Sequence, residues 1–236
     1  LKVASGDGIG LWKDFRNIAF SGLDIYAYLR DPTSPDFLGV DGAGGFDAFI
    51  EDDAVAGPVL FEGCRFRYSG GTIRVGNLYT SHAVGMVFRR NIFLNSYSSG
   101  GGHSQGFYAI NLNDSILEEN IFDHNGWYSQ AGSGGPGEAT IFNHNTYFAN
   151  CHNTVFDSNI FMRGSSMNNK FTANLGEASS TNITVIDNLY LDGEIGVGIG
   201  GNEVGPDRFQ DIIIKDNVFT EIGRSQPTSR TLGVPI

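Results

Sequence analysis

The sequence predicts an all-β chain wound as a parallel β-helix, a solenoid with coils of about 27–29 residues and one inserted loop. Three observations predict it. A seven-residue phrase recurs six times: two apolar residues, two mostly polar ones, an Asn, an aliphatic residue, then Phe or Tyr. Steps between the marked residues Cys64, Asn91, Asn120, Asn159, Asn188 and Asn217 are 27, 29, 39, 29 and 29. Between the phrases lie short apolar runs and turn residues, with no stretch of helical periodicity. A β-sandwich would instead show alternating strands at 8–12-residue spacing, and the agreement of marked columns argues against it.

The elements follow in order. Residues 1–20 read as a strand, a turn and a strand. The first marked phrase, residues 60–66, carries Cys64 in the Asn slot; phrases 87–93 and 116–122 carry Asn91 and Asn120. Twelve residues before Asn91, Asn120 and Asn159 stand Tyr79, Tyr108 and Tyr147, so residues 141–148 form the first strand of the Asn159 coil. The ten extra residues of the long step therefore fall in the Gly/Ser/Pro run 129–138, a surface loop inserted into one coil. Phrases 155–161, 184–190 and 213–219 complete the stack, and residues 230–236 stop without an evident cap. The Asn is expected to sit at a sharp bend in a left-handed conformation, which it tolerates better than any residue but Gly. Stacked coils would then bond the Asn amides into a ladder. Phe66, Phe93, Phe122, Phe161, Tyr190 and Phe219, two residues later, would stack as an internal column.

Composition narrows the function classes. The 236 residues suit one solenoid domain spanning 1–236, and 33 glycines suit coils with several bends. A net charge of −11 argues against nucleic acid, which needs a basic stripe. It also requires local cations wherever an anionic polymer is bound. No apolar run approaches the roughly 20 residues of a membrane helix. Cys64 and Cys151 lie three coils apart, on the order of 14 Å at the strand spacing, which is beyond disulfide reach. Both read as buried free thiols. Without an initiator Met or a signal peptide, and with coil-like text at both ends, the chain reads as a slice of a longer secreted or cell-surface protein.

Titratable and aromatic groups crowd the middle coils. His103 leads into the Tyr108 strand, His124 and Trp127 precede the inserted loop, and His144 follows it. In the Asn-based register Gln105 and His144 share a slot and Tyr108 stacks beside Tyr147. The loop, ending at Glu138, is expected to overhang a groove floored by Gln105, Tyr108, His144 and Tyr147, with His103 and His124 at its rim. Four residues after each Asn come Asn95, His124, Arg163, Asp192 and Glu221, a polar row in which Arg163 lies one coil above His124. A cation there would neutralise a sugar carboxylate while His or Tyr removes the adjacent carbon-bound proton. Hydrolysis would need two facing carboxylates, drawn from Asp123, Glu138, Asp157 and Asp187. The histidines show no tight pair of the H-x-H kind, so no metal site is assigned. Oxygen-rich clusters remain chemically open to Ca2+ at no position the sequence localises.

The segments 26–35, Arg89-Arg90-Asn91, 103–108, 119–127 and 143–147 together resemble secreted bacterial right-handed parallel β-helix proteins of the pectate-lyase-like superfamily, over roughly residues 15–219. The resemblance implies a right-handed β-helix acting on or binding carbohydrate. It does not select a branch: the chain lacks the R-x-P-x-x-R of pectate lyases and the paired Asp with G-H-G of polygalacturonases. Where relatives carry a His after Ser-Ser in the Arg163 coil, this chain has Met167. The expected function is an extracellular lyase on a uronic-acid-containing polysaccharide. His124, His144, Tyr108 and Arg163 would be catalytic; His103, Gln105, Trp127, Tyr147 and Glu138 would bind substrate. The alternatives are a glycoside hydrolase on the same groove and a non-catalytic glycan-binding or adhesive solenoid, tailspike-like.

Overall fold

The computed structural model describes residues 1–39, 43–49, 55–69, 73–75, 82–99, 102–128, 138–173, 179–200 and 208–228. Strands dominate, and every strand pairing among these residues is parallel. The chain visits three sheets in rotation. One coil runs from Gln105–Ile110 in the first sheet, through Ile116–Glu118 in the second, to Ile121–Asp123 in the third. The next begins at His144–Ala149, beside Gln105–Ile110. Buried Asn stacks and parallel sheets of this kind are compatible with a β-helical solenoid.

The register follows the repeated phrase. Ile92, Phe93 and Leu94 pair with Ile121, Phe122 and Asp123, which pair in turn with Ile160, Phe161 and Met162. Phe66, Phe93, Phe122, Phe161, Tyr190 and Phe219 stack with ring centroids 4.6–5.1 Å apart and nearly parallel planes. A second column, Phe20, Phe61 and Phe88, packs across the interior, and Phe107 meets Phe88 and Phe93 edge-on. Each ring pair contributes about 0.5–1.5 kcal/mol beyond area burial. Cys64 and Cys151 are buried free thiols, and burial pushes Cys151 up to about 12.

The Asn ladder is present. Asn91 Nδ2 donates to Asn120 Oδ1 at 3.0 Å, Asn120 to Asn159 at 2.9 Å, Asn159 to Asn188 at 3.0 Å and Asn188 to Asn217 at 2.9 Å. Each Oδ1 also accepts the backbone N–H of the preceding rung, and Asn91 Oδ1 accepts from Cys64 N. One expectation is corrected. The left-handed residue is not the Asn but the one before it: Gly63, Arg90, Glu119, Ser158, Asp187 and Asp216 have φ between 55° and 61°. Arg90, Glu119 and Asp216 at this bend turn to solvent. The Asn is therefore selected for its amide, which bonds two coils, rather than for backbone tolerance.

A second ladder was not legible in the sequence. Asn125 Nδ2 donates to Asn145 Oδ1 at 2.9 Å, and Asn145 Nδ2 to Asn168 Oδ1 at 2.8 Å. It runs where the third sheet hands over to the first. Gly106 leaves it room: a Cβ there would lie 2.6 Å from the Asn125 amide.

Residues 27–39 cross the outside of the bends that follow the third sheet. The short 3-10 turn Tyr28–Arg30 drives Arg30 to zero exposure. Its guanidinium donates to the carbonyls of Tyr68 and Tyr97 and lies 4.1 Å from the Tyr97 ring, while Tyr97 Oη donates to Arg30 O at 2.6 Å. Such a cation is stable when buried because its donors meet carbonyls and a ring face.

Candidate functional site

The predicted groove resolves into two clusters, one on each side of the turn from the third sheet to the first. The first lies on the outer face of the first sheet. Gln105 pairs with His144 and Tyr108 with Tyr147, as the register required. The Tyr108 and Tyr147 rings stand 5.3 Å apart, and Lys170 of the next strand holds its ammonium 4.8 Å from the Tyr147 centroid. All three side chains are half-buried. Arg74 is the Cα partner of Tyr108 on the other side. The register row therefore reads Arg74, Tyr108, Tyr147, Lys170.

His144 turns its ring toward Tyr147, with centroids 5.7 Å apart. Strict alternation would put residues three apart on opposite faces, so the strand is distorted at its start. His144 Nδ1 accepts from Met167 N at 3.2 Å, which places the proton of the neutral ring on Nε2. Its side chain is wholly buried. Gln105 Nε2 donates to Phe142 O at 2.8 Å, and the exposed His103 stacks on the exposed Phe142 at 5.2 Å with planes 3° apart. Gln105 and His103 thus meet at Phe142, His144 meets Tyr147, and Gln105, Tyr108, His144 and Tyr147 lie on two adjacent strands of the first sheet. Glu138 is exposed; residues 129–137 of the inserted loop, and Tyr79, lie outside the described residues.

The second cluster surrounds the row four residues after each Asn. Asn95, His124, Arg163, Asp192 and Glu221 all have φ between 51° and 57°, so the row is a column of left-handed bends. Arg163 does lie one coil beyond His124. Its guanidinium is committed, however: Nε and NH2 donate to the two oxygens of Asp123 at 2.8 and 2.6 Å, the two-pronged geometry that Arg and carboxylate favour. That pairing holds Arg163 above its ordinary value. His124 Nδ1 lies 2.8 Å from Asn95 Oδ1 and must donate to it, leaving Nε2 as the unprotonated nitrogen of the neutral ring. Burial, and then the Arg163 charge, lower His124 to about 4 against a partial opposing pull from Asp123. Trp127 packs 4.6 Å from His124 and donates its Nε1–H to Arg163 O at 2.9 Å. None of the described contacts joins this cluster to His144.

Beyond His124 the second cluster continues into groups that sequence reasoning missed. Tyr128 lies 6.1 Å from His124 and 6.2 Å from Tyr68, which lies 6.3 Å from Tyr26. Asp31, nearly buried, accepts from Tyr26 Oη at 2.6 Å and from Thr33 N and Oγ1 at 2.8 and 2.7 Å. Burial pushes its pKa up, but these donors outweigh burial and hold it below the usual carboxylate range. Burial and the Asp31 charge raise Tyr68 and Tyr128. The only sequence signal was a Tyr-rich, Pro-bounded segment ahead of the first marked coil.

Among the described residues, no three His, Cys, Asp or Glu side chains are placed to hold one metal ion, and no helix is long and apolar enough to cross a membrane. No protein-family model, no curated protein and no solved structure matches the chain.

Proposed function

We propose that the chain is a secreted, right-handed parallel β-helix of pectate-lyase-like type that binds and cleaves a uronic-acid-containing polysaccharide by β-elimination. The observation that supports this most is the row Tyr108, Tyr147, Lys170 on the outer face of the first sheet. A chain with net charge −11 needs a local cation to hold a polyanion. Lys170 supplies one directly over the Tyr147 ring. Arg163 donates to both oxygens of Asp123, and this reading assigns the carboxylate-holding role to Lys170 for its place over the Tyr147 ring.

The chemistry follows from that placement. An ammonium against the uronate carboxylate stabilises the charge that builds as the proton on the adjacent carbon departs. Tyr108 or Tyr147, acting as a phenolate, takes that proton as the C–H bond breaks and the ring double bond forms, and the resulting phenol returns the proton to the glycosidic oxygen as the C–O bond breaks. His144, buried behind Tyr147, positions that ring rather than touching the sugar. His103 and Phe142 offer a stacked pair of ring faces at the edge.

The test uses a panel of polyuronates. Growth of absorbance near 235 nm from the unsaturated product supports the lyase reading. New reducing ends without that absorbance would support a hydrolase. Binding with neither would leave a glycan-binding solenoid. Lys170→Ala should weaken acidic-glycan binding about tenfold, and an unchanged affinity would remove the cation from the argument.

A further inference from the structure

The outer face of the third sheet is apolar in the middle and ionic at its two ends. In each three-residue strand of that sheet the central residue points inward and the residues on either side of it point out. The first outward row reads Ile92, Ile121, Ile160, Leu189 and Val218, stacked in register. Leu94, Met162 and Leu191 stand in the second outward row, where Asp123, between Leu94 and Met162, is neutralised by both forks of Arg163. Val218 is exposed and the other aliphatic residues of the stripe are half-buried. The outer face of the second sheet differs: Glu62, Arg89, Glu118 and Asp157 put an ionic group in each of four successive coils. Successive rings of the column behind the stripe depart from parallel by only 4–8°. Neighbouring strands of an ordinary sheet turn by roughly 20–25°, so this face is unusually flat along the stack.

Two exposed ionic side chains, one toward each end of the stripe, make no ion pair among the described residues. Arg65 continues the first outward row beyond Ile92, and its strand neighbour Asp24 is held by Arg67 at 3.0 and 2.8 Å. Asp187 stands at the left-handed bend before the Leu189 strand, and Lys215 of the next coil pairs with Asp216 at 3.2 Å instead. The Arg65 and Leu189 strands lie four spacings apart with Ile121 midway, about 19 Å along the stack. A face with a cation toward one end, a carboxylate toward the other and aliphatic groups between them is complementary to itself turned end for end. A two-fold axis along the strand direction at Ile121 sets Ile121 over its own copy, Ile92 over Ile160, and Arg65 over the Leu189 strand with its Asp187 bend. Stacks laid parallel would instead oppose Arg65 to Arg65 and Asp187 to Asp187, which repel. Five strands and their flanking bends present about 24 Å by about 17 Å, so such a pair buries on the order of 1,000 Å², the size of a reversible dimer rather than a permanent one.

We propose that the outer face of the third sheet is a self-association surface, on which a second copy of this chain docks antiparallel, with Ile121 on the two-fold axis and Arg65 of each copy against Asp187 of the other. Burial of the aliphatic stripe supplies the attraction, and the two end charges set its direction. The surface is separate from the glycan chemistry proposed above, since none of its residues belongs to the Tyr147 and Lys170 cluster.

The experiment is sedimentation equilibrium of the full chain from about 1 μM to about 1 mM. It compares the unaltered protein with Ile121→Lys, Ile160→Lys, Arg65→Glu, Asp187→Arg and the double reversal Arg65→Glu/Asp187→Arg, each first shown to be folded by circular dichroism. The unaltered chain should form a dimer and nothing larger. Ile121→Lys should be monomeric over the whole range, and Ile160→Lys takes its place if Ile121→Lys does not fold. Each single charge reversal should weaken dimerisation about tenfold, because two-fold symmetry makes every contact twice, and the double reversal should recover most of that loss. A monomer at every concentration, a dimer indifferent to the Lys variants, assembly beyond the dimer, or a double reversal no tighter than the single ones overturns the proposal. A monomer that binds phosphatidylcholine vesicles, and ceases to in Ile121→Lys, gives the face to a lipid surface and overturns it equally.

Discussion

Replacing Asn120 by Leu tests the element on which the stack depends. Asn120 Oδ1 accepts from both the backbone N and the Nδ2 of Asn91, and its own Nδ2 donates to Phe88 O at 2.8 Å and to Asn159 Oδ1 at 2.9 Å. Leucine fills a similar volume and makes none of these bonds. Asn91 Nδ2 keeps its bond to Phe61 O, and Asn159 Oδ1 keeps the backbone N–H of residue 120, so those groups are only partly stripped. The Asn91 backbone N–H, in a residue with zero exposure, loses the acceptor that Asn120 provided. One stranded buried donor costs about 1–3 kcal/mol, and the partly stripped groups and Phe88 O add a fraction each, for a total of about 3–5 kcal/mol. In a chain of this size that lowers Tm by about 10 °C. Thermal unfolding followed by circular dichroism measures it. Asn217→Leu, at the more exposed end of the ladder, is the internal comparison and should cost less than half as much. If Asn120→Leu melted within about 2 °C of the unaltered protein, or no lower than Asn217→Leu, the ladder would not be what holds neighbouring coils together.

Three further outcomes follow from other parts of the molecule. Phe122→Ala opens the middle of the stacked ring column and should destabilise by about 3–5 kcal/mol in the same melt; a loss below about 1 kcal/mol would mean the column repacks freely. His124, lowered to about 4 in the folded state, binds fewer protons than in the unfolded chain between that value and its ordinary one near 6.5. Its contribution to stability is therefore complete above about 6.5 and is lost as pH falls toward about 4. His124→Gln should flatten that part of the stability profile, and a ring whose NMR shift titrates near 6.5 would refute the burial argument. Asp31→Asn removes the ionised acceptor beneath Tyr26 and Thr33 and should cost about 1–3 kcal/mol at neutral pH. The lowered value of Asp31 makes its contribution present above the unfolded carboxylate range and lost as pH falls through the folded one, so the gap between the two proteins should close in acid.

The repeated phrase determined the register of the second and third sheets because parallel stacking puts identical positions over one another; in the first sheet it gave the Tyr108 and Tyr147 pairing, but Arg74 rather than the residue twelve before Asn91 is the partner of Tyr108. A column of like residues in the folded molecule is a period in the chain. That is why the Asn ladder, the ring column and the pairing of Gln105 with His144 and Tyr108 with Tyr147 are legible in the sequence. It is also why the second ladder was not. Asn125, Asn145 and Asn168 are 20 and 23 residues apart, because their column crosses a connection whose length differs from coil to coil.

Side-chain commitments were decided by tertiary structure alone. Sequence spacing placed Arg163 over His124, and the fold did so, but the guanidinium took the nearer fixed carboxylate of Asp123. Nothing in the period says which way a long flexible side chain will turn once an ion partner is within reach. The burial of Arg30 and Asp31 depends on residues 27–39 lying across the Tyr68 carbonyl and the Tyr97 hydroxyl of two other coils, with Tyr26 beside them, contacts separated by up to 67 residues. Periodicity carries what each coil repeats; the crossing segment 27–39, the Arg163–Asp123 pair and the distorted start of the His144 strand leave no period to read.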